Sequence, residues 1–238
     1  MDRLPADGLV DDVNGLIRGR LAVGMVTACT VTGLFDALAA FRREHPGVEV
    51  ALVEDHSDRL IGQVRTGAAD LALIGAGAAV PADLDALVVA RERLIASVPP
   101  DHPLAGRKRT TLAEIRGYPL VCMPQGTGIR AVLDSACTAQ GVEADIALQA
   151  SAPAAVADLA ARGLGVAVLS ESMAAAQRDR LDPLLIEDIE ELALLALVWS
   201  AGRTPSPALR ALLPHCRRAF GAAAATAAAA AVATGSEG

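Results

Sequence analysis

The order of elements between residues 20 and 75 constrains this chain more than anything else in it. A short apolar run, RLAVGM (20–25), meets a hydroxyl-rich loop, TACTVT (27–32). Val31, Leu34, Leu38 and Phe41 then recur at helical spacing. HPGVEVALVE (45–54) reads as a strand, DRLIGQVRTG (58–67) as a helix and ADLALIG (69–75) as a strand. This alternation predicts a parallel sheet with crossover helices. Ligands of open sheets of this kind bind beyond the carboxyl ends of the strands. The hydroxyl-rich loop lies at one such end, so a single feature predicts both the fold class and the place of a small molecule.

The alternation pauses at GAGAAVPAD (75–83) and LVVARERLIASVPP (87–100) follows. The latter is long for one strand and carries a charged centre, Arg91-Glu92-Arg93, so it reads as a strand leaving one sheet for another. A second alternation comes next: strand 119–124, helix 126–141 ending at Gly141, strand 145–150, helix 153–163 and strand 164–170. LALLALVWSA (192–201) reads as the return crossing. SPALRALLPHCRRAF (206–220) reads as a last amphipathic helix that Pro214 should bend or interrupt. The expected architecture is α/β, with two Rossmann-like subdomains joined by two crossover strands. Residues 20–96 and 198–220 form the first subdomain and 97–197 the second, with a hinge and a cleft that closes on a ligand. Residues 1–19 read as a linker remnant, and the alanine-rich stretch 221–238 as a frayed or disordered tail, since it has no face to bury.

A formal charge of −7 leaves no basic footprint for nucleic acid. The cluster RKR (107–109) reads as a solvated turn. No apolar run reaches the length of a membrane span, and residues 1–19 have no apolar signal core. Cys29, Cys122, Cys137 and Cys216 are far apart and form no CxxC pair, so neither zinc nor a disulfide framework is expected; a reduced, cytoplasmic protein is. His45, His56, His102 and His215 lack metal spacing and are expected in surface roles. GAGAAV (75–80) lacks the third glycine of a dinucleotide fingerprint and runs into Pro81, so it reads as a loop. Asp70, before an apolar strand, reads as a structural hydrogen-bonder.

The chain resembles the effector-binding domain of LysR-type transcriptional regulators. The resemblance rests on Leu21 and Gly24, on Leu34, Leu38 and Phe41, on His45-Pro46-Gly47-Val48, and on Leu60, Val64, Gly67, Asp70 and Leu71. His102-Pro103-Leu104, the run Val156 to Leu169, Leu197-Val198-Trp199 and Ser206-Pro207-Ala208 extend it over roughly residues 18–220. It implies a two-subdomain fold like that of type 2 periplasmic binding proteins and a small-molecule effector in the cleft. It also implies a homodimer or tetramer acting on DNA through a separate N-terminal winged helix-turn-helix, which this sequence lacks. Either that domain lies outside the sequence or the chain is a stand-alone sensor.

The resemblance places the effector against Thr27, Ala28, Cys29 and Thr30, and against Ser57. The family often has Ser or Thr where Ala28 stands, so Thr27 or Thr30 would supply the hydroxyl instead. Independently, helix starts offer unpaired N–H groups and a positive dipole to an anionic ligand. The same threonines, and Ser57, could instead be plain helix caps. In the second subdomain Gly126, Thr127 and Gly128 lie at a strand-to-helix turn whose N–H groups could hold a carboxylate, and Ser151 lies in the next such loop. Ser170 stands where the family often has proline. No cofactor is expected.

Two other functions share the fold. A solute-binding protein of transport would carry a signal peptide or lipoprotein cysteine. A dehydratase-like enzyme would carry a Thr-Arg-Phe triplet or an acid/base pair, and neither stands out here. An effector-sensing regulatory domain, not an enzyme, is the expectation.

Overall fold

The computed structural model describes residues 17–27 and 32–234, with side chains to residue 221. The first lobe begins with β1 (Gly19–Val26), α1 (Gly33–Glu44), β2 (Val48–Asp55), α2 (Ser57–Thr66) and β3 (Leu71–Ala76). β1 pairs in parallel with both β2 and β3, as the alternation predicts. α1 forms because Leu34, Ala37 and Phe41 share one buried face, and it stops at Glu44, two residues before Pro46, whose ring disfavours helix in the residue before it, His45. α2 ends at Gly67, whose φ of 84° is the left-handed conformation that closes a helix, with its N–H donating to the Gln63 and Val64 carbonyls. Asp70 locks the start of β3 to β1. Its N–H donates to the Ala22 carbonyl and its Oδ2 accepts the Ala22 N–H, both at 2.8 Å.

β4 (Leu84–Glu92) lies in the first sheet and β5 (Leu94–Val98) in the second, so the chain changes sheets at Arg93. The charged centre of the long apolar stretch marks this crossing because it is the part that neither core buries. The second lobe continues through β6 (Arg109–Thr110), α3 (Leu112–Ile115), β7 (Leu120–Cys122), α4 (Gly128–Gln140), β8 (Ile146–Gln149), α5 (Pro153–Ala161), β9 (Val166–Ser170), α6 (Glu171–Ala175) and β10 (Asp182–Ile186). The chain then returns as β11 (Ala193–Ser200), which runs antiparallel between β3 and β4. The sheets read β2-β1-β3-β11-β4 and β6-β10-β5-β9-β7-β8. Residues 94–96 therefore pair in the second sheet and 193–197 in the first, a few residues from the boundaries expected from sequence. Both sheets are mixed, since each receives a crossing strand running against its parallel core.

The helix α7 (Pro207–Thr234) packs with α1 over one face of the first sheet, where Phe41, Leu34, Leu209 and Leu212 are buried together. α2 covers the other face with Leu60 and Val64. The second lobe has its own core, in which Val132 and Leu133 of α4 and Val156 and Ala160 of α5 are buried with the strands. α7 contains Pro214 without ending there, and it departs from expectation in the alanine-rich stretch, which continues it as helix to Thr234. Alanine propagates a helix well once a packed segment has nucleated it. His215 is also not a surface residue: it is 6% exposed. Its Nε2 lies 2.8 Å from Glu44 Oε2, and Arg218 lies 2.9 Å from its Nδ1.

Candidate functional site: the cleft between the lobes

In each lobe the first parallel strand lies between the next two. The order β2-β1-β3 recurs as β8-β7-β9. Chain order therefore reverses between β1 and β3, and again between β7 and β9. Such switch points open a crevice at the carboxyl ends of the strands. Here the two crevices face one another. Val26 and Thr27 at the end of β1, Gly75 in β3, Met123 after β7 and Ser170 closing β9 all line one cleft. Its free volume is small, about 80 Å³. Its walls are largely apolar, with Met123, Ile129, Met173 and Leu195 among them.

Ser57 is 2% exposed and lines the cleft. It is not the cap of α2. His56 holds that position, and Ser57 is the first helical residue, its Oγ accepting the Gly75 N–H at 3.0 Å. The hydroxyl thus ties α2 to the end of β3 and keeps its own hydrogen for another acceptor. Thr27 also lines the cleft and does not cap α1, whose cap position is Thr32. Ala28, Cys29 and Thr30 lie outside the described residues.

Thr127 and Gly128 contribute the opposite wall. Thr127 caps α4: its Oγ1 accepts the Arg130 N–H at 3.4 Å and donates to the Pro124 carbonyl at 2.9 Å. What this turn offers a ligand is backbone, because the N–H groups of Gly128 and Ile129 start the helix without partners inside it. Thr127→Val is expected to destabilise the protein by about 0.5–2 kcal/mol through loss of the cap, measured by urea unfolding. Gly126 has φ +85°, and a Cβ there would lie 2.8 Å from Asp58 Oδ2 of α2. Gly128 is tighter still. A Cβ there would meet Ala76 O at 2.4 Å, N at 2.6 Å and C at 2.7 Å. The start of α4 is therefore pressed against the end of β3 across the cleft. Ser151 is exposed in the loop before α5 and is not among the residues lining the cleft.

Sequence reasoning did not pick out Glu92, Ser172 or Met173, and singled out Ser170 only as a doubtful turn. All four line the cleft. Glu92 ends the crossing strand β4, and Ser170 and Ser172 flank the start of α6. Ser172 Oγ donates to Glu92 Oε2 at 3.0 Å and lies 3.4 Å from Ser170 Oγ. The charged centre at 91–93 was the available signal, since a charge at a crossing between two lobes must face either solvent or the cleft.

The remaining polar groups serve structure. Arg130 is 8% exposed, with Nε 2.7 Å from Asp134 Oδ1 and Nη1 3.1 Å from Gln149 Oε1. Burial pushes the thiols of Cys122 and Cys216 up to about 12. At pH 8 about one in ten thousand of each would be thiolate, the reactive form. Both should resist a thiol reagent in the folded protein and label only after denaturant is added, as read by peptide mass spectrometry.

The LysR substrate binding domain matches residues 14–221. The chain belongs to this family. Its relatives include an uncharacterized HTH-type transcriptional regulator of Mycobacterium tuberculosis (strain ATCC 25618 / H37Rv), 37% identical over 186 residues, 74% of this chain and 59% of the relative. A probable hydrogen peroxide-inducible genes activator of Mycobacterium avium is 29% identical over 168 residues, 69% of this chain and 53% of the relative. The chain thus spans little more than half the length of these relatives. Solved LysR domains share the fold. The effector binding domain of QuiR in complex with shikimate superposes with a TM-score of 0.71 at 18% identity, covering 84% of this chain and 96% of that one. The regulatory domain of Synechocystis PCC6803 CcmR in complex with 2-PG gives 0.71 at 21% identity, covering 85% and 98%. The fold is the type 2 periplasmic-binding-protein-like arrangement of LysR effector-binding domains. Among the described residues no helix is long and apolar enough to cross a membrane.

Proposed function

We propose that this chain senses a small effector for a LysR-type transcriptional regulator, binding it in the interlobe cleft and passing its occupancy to a DNA-binding domain outside this sequence. The observation that carries the reading is the convergence of two topological switch points on one cleft with hydrogen-bonding groups in both walls. The effector carries an acidic group, received by the N–H groups at the start of α4, while the Ser57 hydroxyl and Thr27 hold its other end. Structural neighbours bound to shikimate, 2-PG and benzoate support a small acid. Family membership favours regulation over transport.

A screen of small carboxylates and aromatic acids by thermal shift, followed by titration calorimetry, tests the proposal. An effector at 100 times its dissociation constant adds about 2.7 kcal/mol of stability. Ser57→Ala then weakens binding by roughly 1.5–3 kcal/mol if its hydroxyl bonds a charged ligand. Unchanged affinity would remove Ser57 from the site.

The same reading includes assembly. Phe35 of α1 and Leu52 and Val53 of β2 are 44%, 40% and 50% exposed. β2 and β8 each lie at the edge of their sheet. Apolar side chains along such an edge favour contact with a partner. α1 and β2 of one chain meet α4 and β8 of another, antiparallel, in a dimer or tetramer. Light scattering is expected to give at least a dimer at high micromolar concentration, and a monomer there would contradict the arrangement.

A further inference from the structure

The charge of the cleft limits what can enter it. Among the described residues lining it, Glu92 is the one charged side chain. Among those residues no Lys, Arg or His lines it. The buried cation Arg130, at the start of α4, is held by Asp134 and Gln149. A second carboxylate, Asp58, stands by Gly126. An acid with no cationic group would meet helix N–H groups at one wall and Glu92 at the other, and the second encounter is repulsive. Ser172 gives Glu92 one hydrogen bond, on Oε2. A carboxylate accepts several, so Glu92, which is half-buried, has acceptor positions left for a donor in the cleft.

Resting on the effector-sensing reading, we propose that the effector is a zwitterion, an α-amino acid with an apolar side chain, whose ammonium group pairs with Glu92. The carboxylate lies at the N–H groups of Gly128 and Ile129, the ammonium donates to Glu92, and the side chain packs among Met123, Ile129, Met173 and Leu195. The pairing disfavours simple carboxylates of the same shape, which leave Glu92 unpaired.

The test is titration of the whole chain with the standard amino acids and, for each apolar one, its deaminated acid and decarboxylated amine, read by thermal shift and calorimetry. An apolar amino acid is expected to bind at least about tenfold tighter than its deaminated acid, the scale of a hydrogen bond to a charged group. Glu92→Gln keeps the size and the Ser172 contact. It should leave the unliganded melting temperature in place, weaken the amino acid about tenfold or more, and remove the preference over the deaminated acid. A deaminated acid binding as tightly as its amino acid, or an amino acid indifferent to Glu92→Gln, overturns the proposal while leaving a cleft effector in place. Failure of every amino acid to bind also overturns it. If Ser57→Ala leaves the binding of whatever does bind unchanged, the Ser57 part of the cleft reading fails, a result separable from the loss of the ammonium contact alone.

Discussion

Replacing Gly128 by alanine is expected to destabilise the closed arrangement of the lobes and to weaken effector binding at least about tenfold. Overpacking of a well-packed contact costs about 1–3 kcal/mol, and here the added carbon would fall 2.4 Å from Ala76 O and 2.6 Å from Ala76 N. Both are backbone atoms of a central strand, so they cannot swing aside as a side chain would. The start of α4 must retreat from β3, and the chain between the lobes can absorb that retreat only at Arg93 and residues 187–192. The helix start that receives the acidic group would be carried away from Ser57 and Gly75. Urea unfolding measures the loss of stability, X-ray scattering the opening of the lobes, and calorimetry the affinity. Wild-type values in all three would mean that the lobes do not meet at Gly128 in solution.

Phe41→Ala is expected to cost about 3–5 kcal/mol, the range for deleting a large buried aromatic. Phe41 is 0% exposed between α1, α7 and the first sheet. Its ring lies 5.0 Å from that of His45 and 6.0 Å, edge-on, from that of His215. The cavity would open where α1 meets α7, so the cleft across the sheet should keep its shape while the midpoint of urea unfolding falls. A loss below about 1 kcal/mol would mean that the α1–α7 layer repacks freely, contrary to a close-packed core.

The alternation from Leu21 to Ala76 was legible because each crossover helix shows its apolar face at helical spacing and each buried strand is a short apolar run. The second lobe was legible from 119 to 170 for the same reason. What escaped were the short pieces. β6, α3, α6 and β10 are two to five residues long, too short for a period to show. α3 left one sign, the capping box of Thr111 and Glu114, in which the Glu114 N–H donates to Thr111 Oγ1 at 3.2 Å and Glu114 Oε2 accepts the Thr111 N–H at 3.1 Å. The limits of the crossings fell a few residues from expectation because an apolar strand looks alike in either sheet.

The cleft was half legible. Residues at the ends of strands, Thr27, Ser57, Thr127 and Gly128, follow from topology alone. Their roles do not, since a hydroxyl that caps a helix, as Thr127 does, and one that ties a strand end, as Ser57 does, look the same in sequence. Glu92, Ser170 and Ser172 belong to the crossing and to the return of the sixth helix. Their meeting depends on how the two lobes are set together, which no local pattern carries. The burial of His215 escaped for a similar reason: its partners, Glu44 and Phe41, are more than 170 residues away in sequence but belong to the helix packed against it.

The central claim, that the space between the lobes is the effector site, is tested most directly by a crystal structure of the chain with the compound that raises its melting temperature most. The account predicts that compound lodged between Ser57 and Gly75 on one side and Thr127 to Ile129 on the other, its acidic group at the start of α4 and its other end at Ser57 and Thr27. Finding it instead in the separate cavity lined by Arg93, Arg109 and Glu190, with none between the lobes, would contradict the account.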